Sequence, residues 1–150
     1  MITIEKYHRE RLFSGDEKQR VVDFLYHHLD AFGDPKAHIA KAIDYALQII
    51  PSAGGFVLVA REQNTIKGAV VVNATGMGGY IPENILVYIA VHQDQRGKGV
   101  GKQLMEKALQ EAEGDVALHV EPDNPALRLY TRLGFTNKYL EMRYQKPPGA

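Results

Sequence analysis

Apolar residues recur every three or four positions over residues 17–32, at Val21, Leu25, Leu29 and Phe32 with Phe24 alongside. That spacing predicts an amphipathic helix. Gly33, Asp34 and Pro35 stop it. A second helical stretch over 36–50 sets Ile39, Ile43, Ala46, Leu47 and Ile50 on one side, and the loop from Pro51 to Gly55 ends it. Ahead of both, Ile2 and Ile4 alternate as in a short strand. The period then changes from helical to β. Residues 56–60 and 69–74 are β-rich runs joined through Gln63, Asn64 and Thr65, which predicts a hairpin. A glycine-rich loop over 75–82 leads into residues 85–91, an almost continuously apolar run of the kind expected for a strand covered on both faces.

Residues 99–113 return to helical spacing with Val100, Leu104, Ala108, Leu109 and Ala112, and 116–120 predict another short strand. The next segment carries helix punctuation: Asn124 as N-cap, Pro125 at the first helical position and Gly134 just past the end. Residues 135–144 close the pattern as further strand. The order is strand, two helices, a meander, then strand–helix–strand–helix–strand, which predicts one mixed-sheet α/β domain over 1–150.

Composition narrows the function classes. With 150 residues, 45% hydrophobic and 24% charged, the chain has the make-up of a soluble globular protein. Eighteen basic residues balance eighteen acidic ones, which argues against a nucleic-acid partner held by bulk charge. Without cysteine there is no disulfide, thiolate metal site or cysteine nucleophile. No apolar run is long enough to span a bilayer, and Met1 to Lys6 hold no apolar signal segment. The expectation is a cytoplasmic protein without a membrane partner. His27 and His28 are adjacent and point different ways on a helix, while His8 and His38 have no partner at ligand spacing, so no catalytic metal is expected.

The strongest chemical signal runs from Val91 to Lys102. An apolar strand ends, Gly97, Gly99 and Gly101 alternate with larger residues, and a helix begins. Glycines let successive N–H groups point one way, and a helix N-terminus adds partial positive charge, so this is an anion cradle fit for phosphates. Arg96, Lys98 and Lys102 add formal charge. A Walker A loop is excluded because Gln103, without a hydroxyl, follows Lys102. A dinucleotide fingerprint fails because its third glycine would fall on Lys102 or Leu104.

What remains, Arg96-x-x-Gly99-x-Gly101, resembles the pyrophosphate loop of the GNAT superfamily of N-acetyltransferases. The block from Asn124 through Leu129 and Tyr130 to Gly134 and Phe135 is similar to that family's later motif, in the family's order and at a suitable separation. The resemblance implies a mixed, mostly antiparallel central sheet flanked by helices, with a strand–helix–strand core for acetyl-coenzyme A. It implies backbone pairing of the pantetheine arm along Ile89, Ala90 and Val91. Arg96, Gly97, Lys98, Gly99, Val100, Gly101 and Lys102 would hold the pyrophosphate, and Asn124 would reach the pantetheine. Tyr130 stands where the family has its general acid and would contact the coenzyme. In the family's ribosomal-protein-alanine branch the strand before Asn124 reads Leu–Glu–Val; here the slot is Leu118, His119, Val120. His119 is therefore one candidate for the base, and Glu83, just ahead of the central strand, is another.

The implied reaction moves an acetyl group from acetyl-coenzyme A to a primary amine by direct attack in a ternary complex. The acceptor is a small molecule, an amino acid or a peptide end, and a second copy of the chain is a candidate partner. The alternative is a coenzyme A-binding regulatory module with the same fold and no turnover.

Overall fold

A computed structural model describes residues 1–149. The chain forms two compact units, Met1–Leu118 and His119–Ala150. In the first, β1 (Ile2–Tyr7) is followed by α1 (Glu17–Leu29), a 3-10 turn (Asp30–Phe32) and α2 (Lys36–Ala46). Then come β2 (Gly55–Glu62), β3 (Thr65–Ala74), β4 (Asn84–Val91), a 3-10 turn (Gln93–Gln95), α3 (Val100–Glu111) and β5 (Val116–Ala117). The strands form one sheet in sequence order, antiparallel from β1 to β4 and parallel between β4 and β5. This is the mixed, mostly antiparallel sheet flanked by helices that the sequence implied.

Strand alternation splits the sheet between two layers. Val57, Val59, Ala69, Val71, Tyr88 and Ala90 join Val21, Val22, Leu25, Ile39 and Ile43 of α1 and α2 in one core cluster. Val100, Leu104, Met105 and Ala108 are the buried stripe of α3. That helix comes close to β3 at Gly68, where an added Cβ would lie 2.6 Å from Leu104 Cδ1. Polar tethers join the α1–α2 layer to the strands. Arg61 on β2, only 8% exposed, donates to Tyr7 Oη and Glu5 Oε1, both at 2.9 Å, and to Glu17 at the start of α1. Tyr88 Oη donates to Asp34 Oδ2 at 2.5 Å, fixing the α1–α2 connection to β4.

Several boundaries differ from the sequence expectation. The first helix gives way at Asp30, whose φ is +50°, to a short 3-10 turn. The second α-helix ends at Ala46, since Gln48 takes a φ of +57°. The 116–120 strand is realised only as Val116–Ala117. In the second unit the helix, α4, runs Leu127–Arg132 with Ala126 as its N-cap. Asn124 does not cap it; its Oδ1 instead accepts from Ala126 N–H at 2.9 Å, closing a turn one step earlier. The C-terminal punctuation holds. Gly134 has φ +104° and donates to Thr131 O at 3.1 Å, while Phe135 N–H donates to Tyr130 O at 3.0 Å, a Schellman closure. The strand expected over 135–144 is not formed. An extended segment becomes a strand only when its N–H and C=O groups join a ladder, and Tyr139, Leu140, Met142 and Tyr144 are all exposed.

Candidate functional site

The first unit builds a backbone platform along β4. Pairing with β5 is confined to Asn84 and Ile85, so from Leu86 onward β4 is paired by a strand on one edge only, among the described residues. A bulge interrupts the β3–β4 register where Val71 faces Tyr88 and Val72 faces Leu86, leaving Val87 as the extra residue. Beyond it the direction of each peptide group is fixed by one bond: His92 N–H donates to Lys67 O at 2.8 Å. Antiparallel pairs alternate, so Ala90, like His92, directs its N–H and C=O toward β3. Ile89 and Val91 therefore turn theirs to the open edge. An extended chain with amide groups can add there as a further strand.

β4 runs directly into the anion cradle. After His92 the 3-10 turn brings Arg96 N–H to Gln93 O at 3.2 Å, and Lys98 N–H reaches Gln95 O at 3.1 Å. Gly97 and Gly99 take φ of +78° and +82°, which L side chains rarely adopt, and a Cβ at either would meet no atom within 4 Å. Conformation, not crowding, calls for glycine there, and the surface above both stays open. The first bond into α3 is Gln103 N–H to Gly99 O at 3.0 Å, and no side chain caps this helix. The N–H groups of Val100, Gly101 and Lys102 thus stand at a positive helix end without a cap, beside Arg96, Lys98 and Lys102. This chain geometry suits a diphosphate linked to an amide-bearing arm.

The remaining candidates lie elsewhere. Glu83 immediately precedes β4, at the end of the strand away from the cradle. It lines a cleft of about 490 Å³ with Lys6, Phe56, Gly78, Asn84 and Glu111. Its Oε1 accepts from Asp115 N–H at 2.8 Å, and that bond holds the carboxyl below the usual glutamate range. In the second unit His119 is exposed and Asn124 is half-buried. Tyr130, on α4, is buried with its ring 6.0 Å from that of Phe135, and burial pushes its hydroxyl pKa up. A phenol so placed keeps its proton at neutral pH. Among the described residues no group of three or more His, Cys, Asp or Glu could hold a metal ion, and no helix is long and apolar enough to cross a membrane.

Sequence reasoning missed one neighbour of the cradle. His28, at the end of α1, packs its ring against that of His92 at a 45° tilt, with centroids 4.7 Å apart. The two are far apart in sequence, and no spacing rule links them.

The sequence model of the acetyltransferase (GNAT) domain matches residues 53–137, more than half of the chain. The chain belongs to the GNAT acetyltransferase family. A mycothiol acetyltransferase from Catenulispora acidiphila is 35% identical over 69 residues, 43% of this chain. The match spans only 22% of that longer protein. Among solved structures, a GNAT family acetyltransferase from Streptococcus pneumoniae is similar with a TM-score of 0.67 at 20% identity, over 97% of this chain and 98% of the other. An aminoglycoside N-acetyltransferase in complex with CoA gives 0.64 at 18% identity, over 97% and 95%. At such identities the likeness is one of fold.

Proposed function

We propose that this GNAT-family chain is an acyltransferase that moves an acetyl group from acetyl-coenzyme A to a primary amine within a ternary complex. The observation that carries the reading is the continuity of an open β4 edge with an uncapped α3 N-terminus. Ile89 and Val91 would bind the pantetheine amides by backbone, with Ala90 between them tied to β3. Arg96, Gly97, Lys98, Gly99, Val100, Gly101 and Lys102 would hold the pyrophosphate, and Asn124 would contact the pantetheine. The family match, residues 53–137, takes in part of each compact unit, and we read residues 1–150 as one domain.

Bound acetyl-coenzyme A supplies an activated thioester. An attacking amine must first be neutral: for a lysine-like group with a reference pKa near 10.4, deprotonation at pH 7 costs about 4.6 kcal/mol. His119 is the proposed base, directly or through water, imidazole being the side chain most often used for that task. Glu83 is the weaker candidate, because the Asp115 N–H already stabilises its charged form. Tyr130 is the proposed acid: its hydroxyl keeps its proton and makes no hydrogen bond among the described residues, so it is free to donate to a departing sulfur. Coenzyme and acceptor amine are the partners, and the reaction asks for no metal.

The test is Gly101→Asp. An acidic residue in the first turn of α3 suits the helix end and keeps the fold, but it sets a negative charge against the pyrophosphate. Isothermal titration should show acetyl-coenzyme A affinity falling at least about a hundredfold, the loss of two to three charge-assisted hydrogen bonds. Unchanged affinity in the folded variant removes the cradle from the coenzyme site.

A further inference from the structure

His28 Nδ1 is buried and has no hydrogen-bond partner, an exception that asks for a cause. Its ring packs against Phe24, at 4.4 Å between centroids, and against His92, at 4.7 Å, with His27 edge-on at 4.7 Å. His92 is the residue from which the coenzyme loop departs, and it has two alternative partners on one atom. Its Nδ1 lies 3.2 Å from Asp94 N–H and 2.9 Å from Asp94 Oδ1. Unprotonated, Nδ1 accepts from the backbone and caps the turn that leads to Arg96; protonated, it donates to the carboxylate. Asp94 is itself held by Lys67 Nζ at 2.8 Å.

We propose that His28, packed against His92 where the coenzyme loop departs, takes up a proton when the pyrophosphate arrives. The inference rests on the coenzyme reading above and assigns that site a proton linkage. The groups facing His28 are His27 on its own helix, and His92, Arg96 and Asp94 from the β4–α3 turn. Burial, then the positive charges of His92, His27 and Arg96, hold its pKa below the ordinary value, with Asp94 opposing. A pyrophosphate beside Arg96 brings negative charge that offsets this repulsion. Protonated histidine is then favoured in the complex, and the bound state carries more protons than the free one. The pair acts through the loop as positioning residues, with no contact to the reacting atoms required.

Titration calorimetry with coenzyme A at pH 6.5, in two buffers of different ionisation enthalpy, reads the protons taken up. The 3′-phosphate of coenzyme A titrates in the same range, so the quantity that counts is the difference between wild type and variants. His28→Phe keeps an aromatic ring, and His92→Asn keeps an acceptor for Asp94 N–H. Wild type should take up about half a proton more than either variant at pH 6.5, with no difference at pH 8. Its affinity should rise about three- to fivefold more than theirs between pH 8 and 6. Equal uptake in all three proteins overturns the linkage and leaves the coenzyme reading standing. Failure of wild type to bind coenzyme A at either pH overturns both.

Discussion

Arg61 is buried on β2 with Tyr7, Glu5 and Glu17 around its guanidinium, and Glu17 has no other cation within ion-pair distance among the described residues. Removing one partner of such a network leaves the other's charge desolvated. Arg61→Ala should therefore lower unfolding free energy by about 3 kcal/mol in urea titrations. Adding Glu17→Gln should return part of it, because the stranded carboxylate is gone; additive losses would mean that the two residues do not couple. Tyr130 tests chemistry at the same scale. Tyr130→Phe keeps the ring beside Phe135 and deletes only the hydroxyl. As the proposed acid it should lose about 10²–10⁴ in kcat with coenzyme affinity unchanged. Wild-type turnover across pH would make the tyrosine a packing residue.

Among the elements, α3 depends on β3 for its position, and the contact is Gly68. A methyl there would come within 2.6 Å of Leu104 Cδ1. Strand propensity alone favours alanine over glycine, so Gly68→Ala separates propensity from packing. Overpacking should win and cost about 1–2 kcal/mol, with coenzyme affinity falling too because α3 carries the cradle at its N-terminus. A stabilised variant would show that Leu104 simply turns aside. Element identity was legible from period: the 3.6-residue spacing of Val21, Leu25 and Leu29, and the apolar run ahead of His92. Inside that run the bulge at Val87 was not legible, because Leu86, Val87 and Tyr88 are apolar alike and a register slip leaves no mark in composition. The Asn124 turn was missed for a different reason. A side-chain oxygen accepting from the residue two ahead gives the same sequence signal as an N-cap. At the site, the loop from Arg96 to Lys102 stood out through its glycines and charges. The His28–His92 contact rests on tertiary packing that no local pattern encodes.

At the scale of the molecule, equal numbers of acidic and basic residues hide an uneven distribution of proton affinities. Hydrogen bonds from Arg11 to Glu5, Lys36 to Asp23, Lys67 to Asp94, Lys6 to Glu111 and the Asp115 N–H to Glu83 all hold carboxyls below their ordinary values. For such groups the unfolded chain binds more protons, so their stabilisation is present above about pH 4.5 and is lost as pH falls through the folded values. His28 shifts the same way for the opposite reason. Burial disfavours its charged form, so below its unfolded value near 6.5 the unfolded chain again binds the extra proton, and stability falls as pH drops. The coenzyme-free protein should thus show two acid steps in its urea midpoint, a shallow one below pH 6.5 and a steeper one below 4.5. His28→Phe should erase the first and leave the second, since the carboxylate contacts lie on other side chains. A wild-type midpoint that stays flat from pH 7.5 to 5.5 would mean that His28 is as easily charged in the fold as in the open chain. His28 would then carry no charge penalty for a pyrophosphate to relieve.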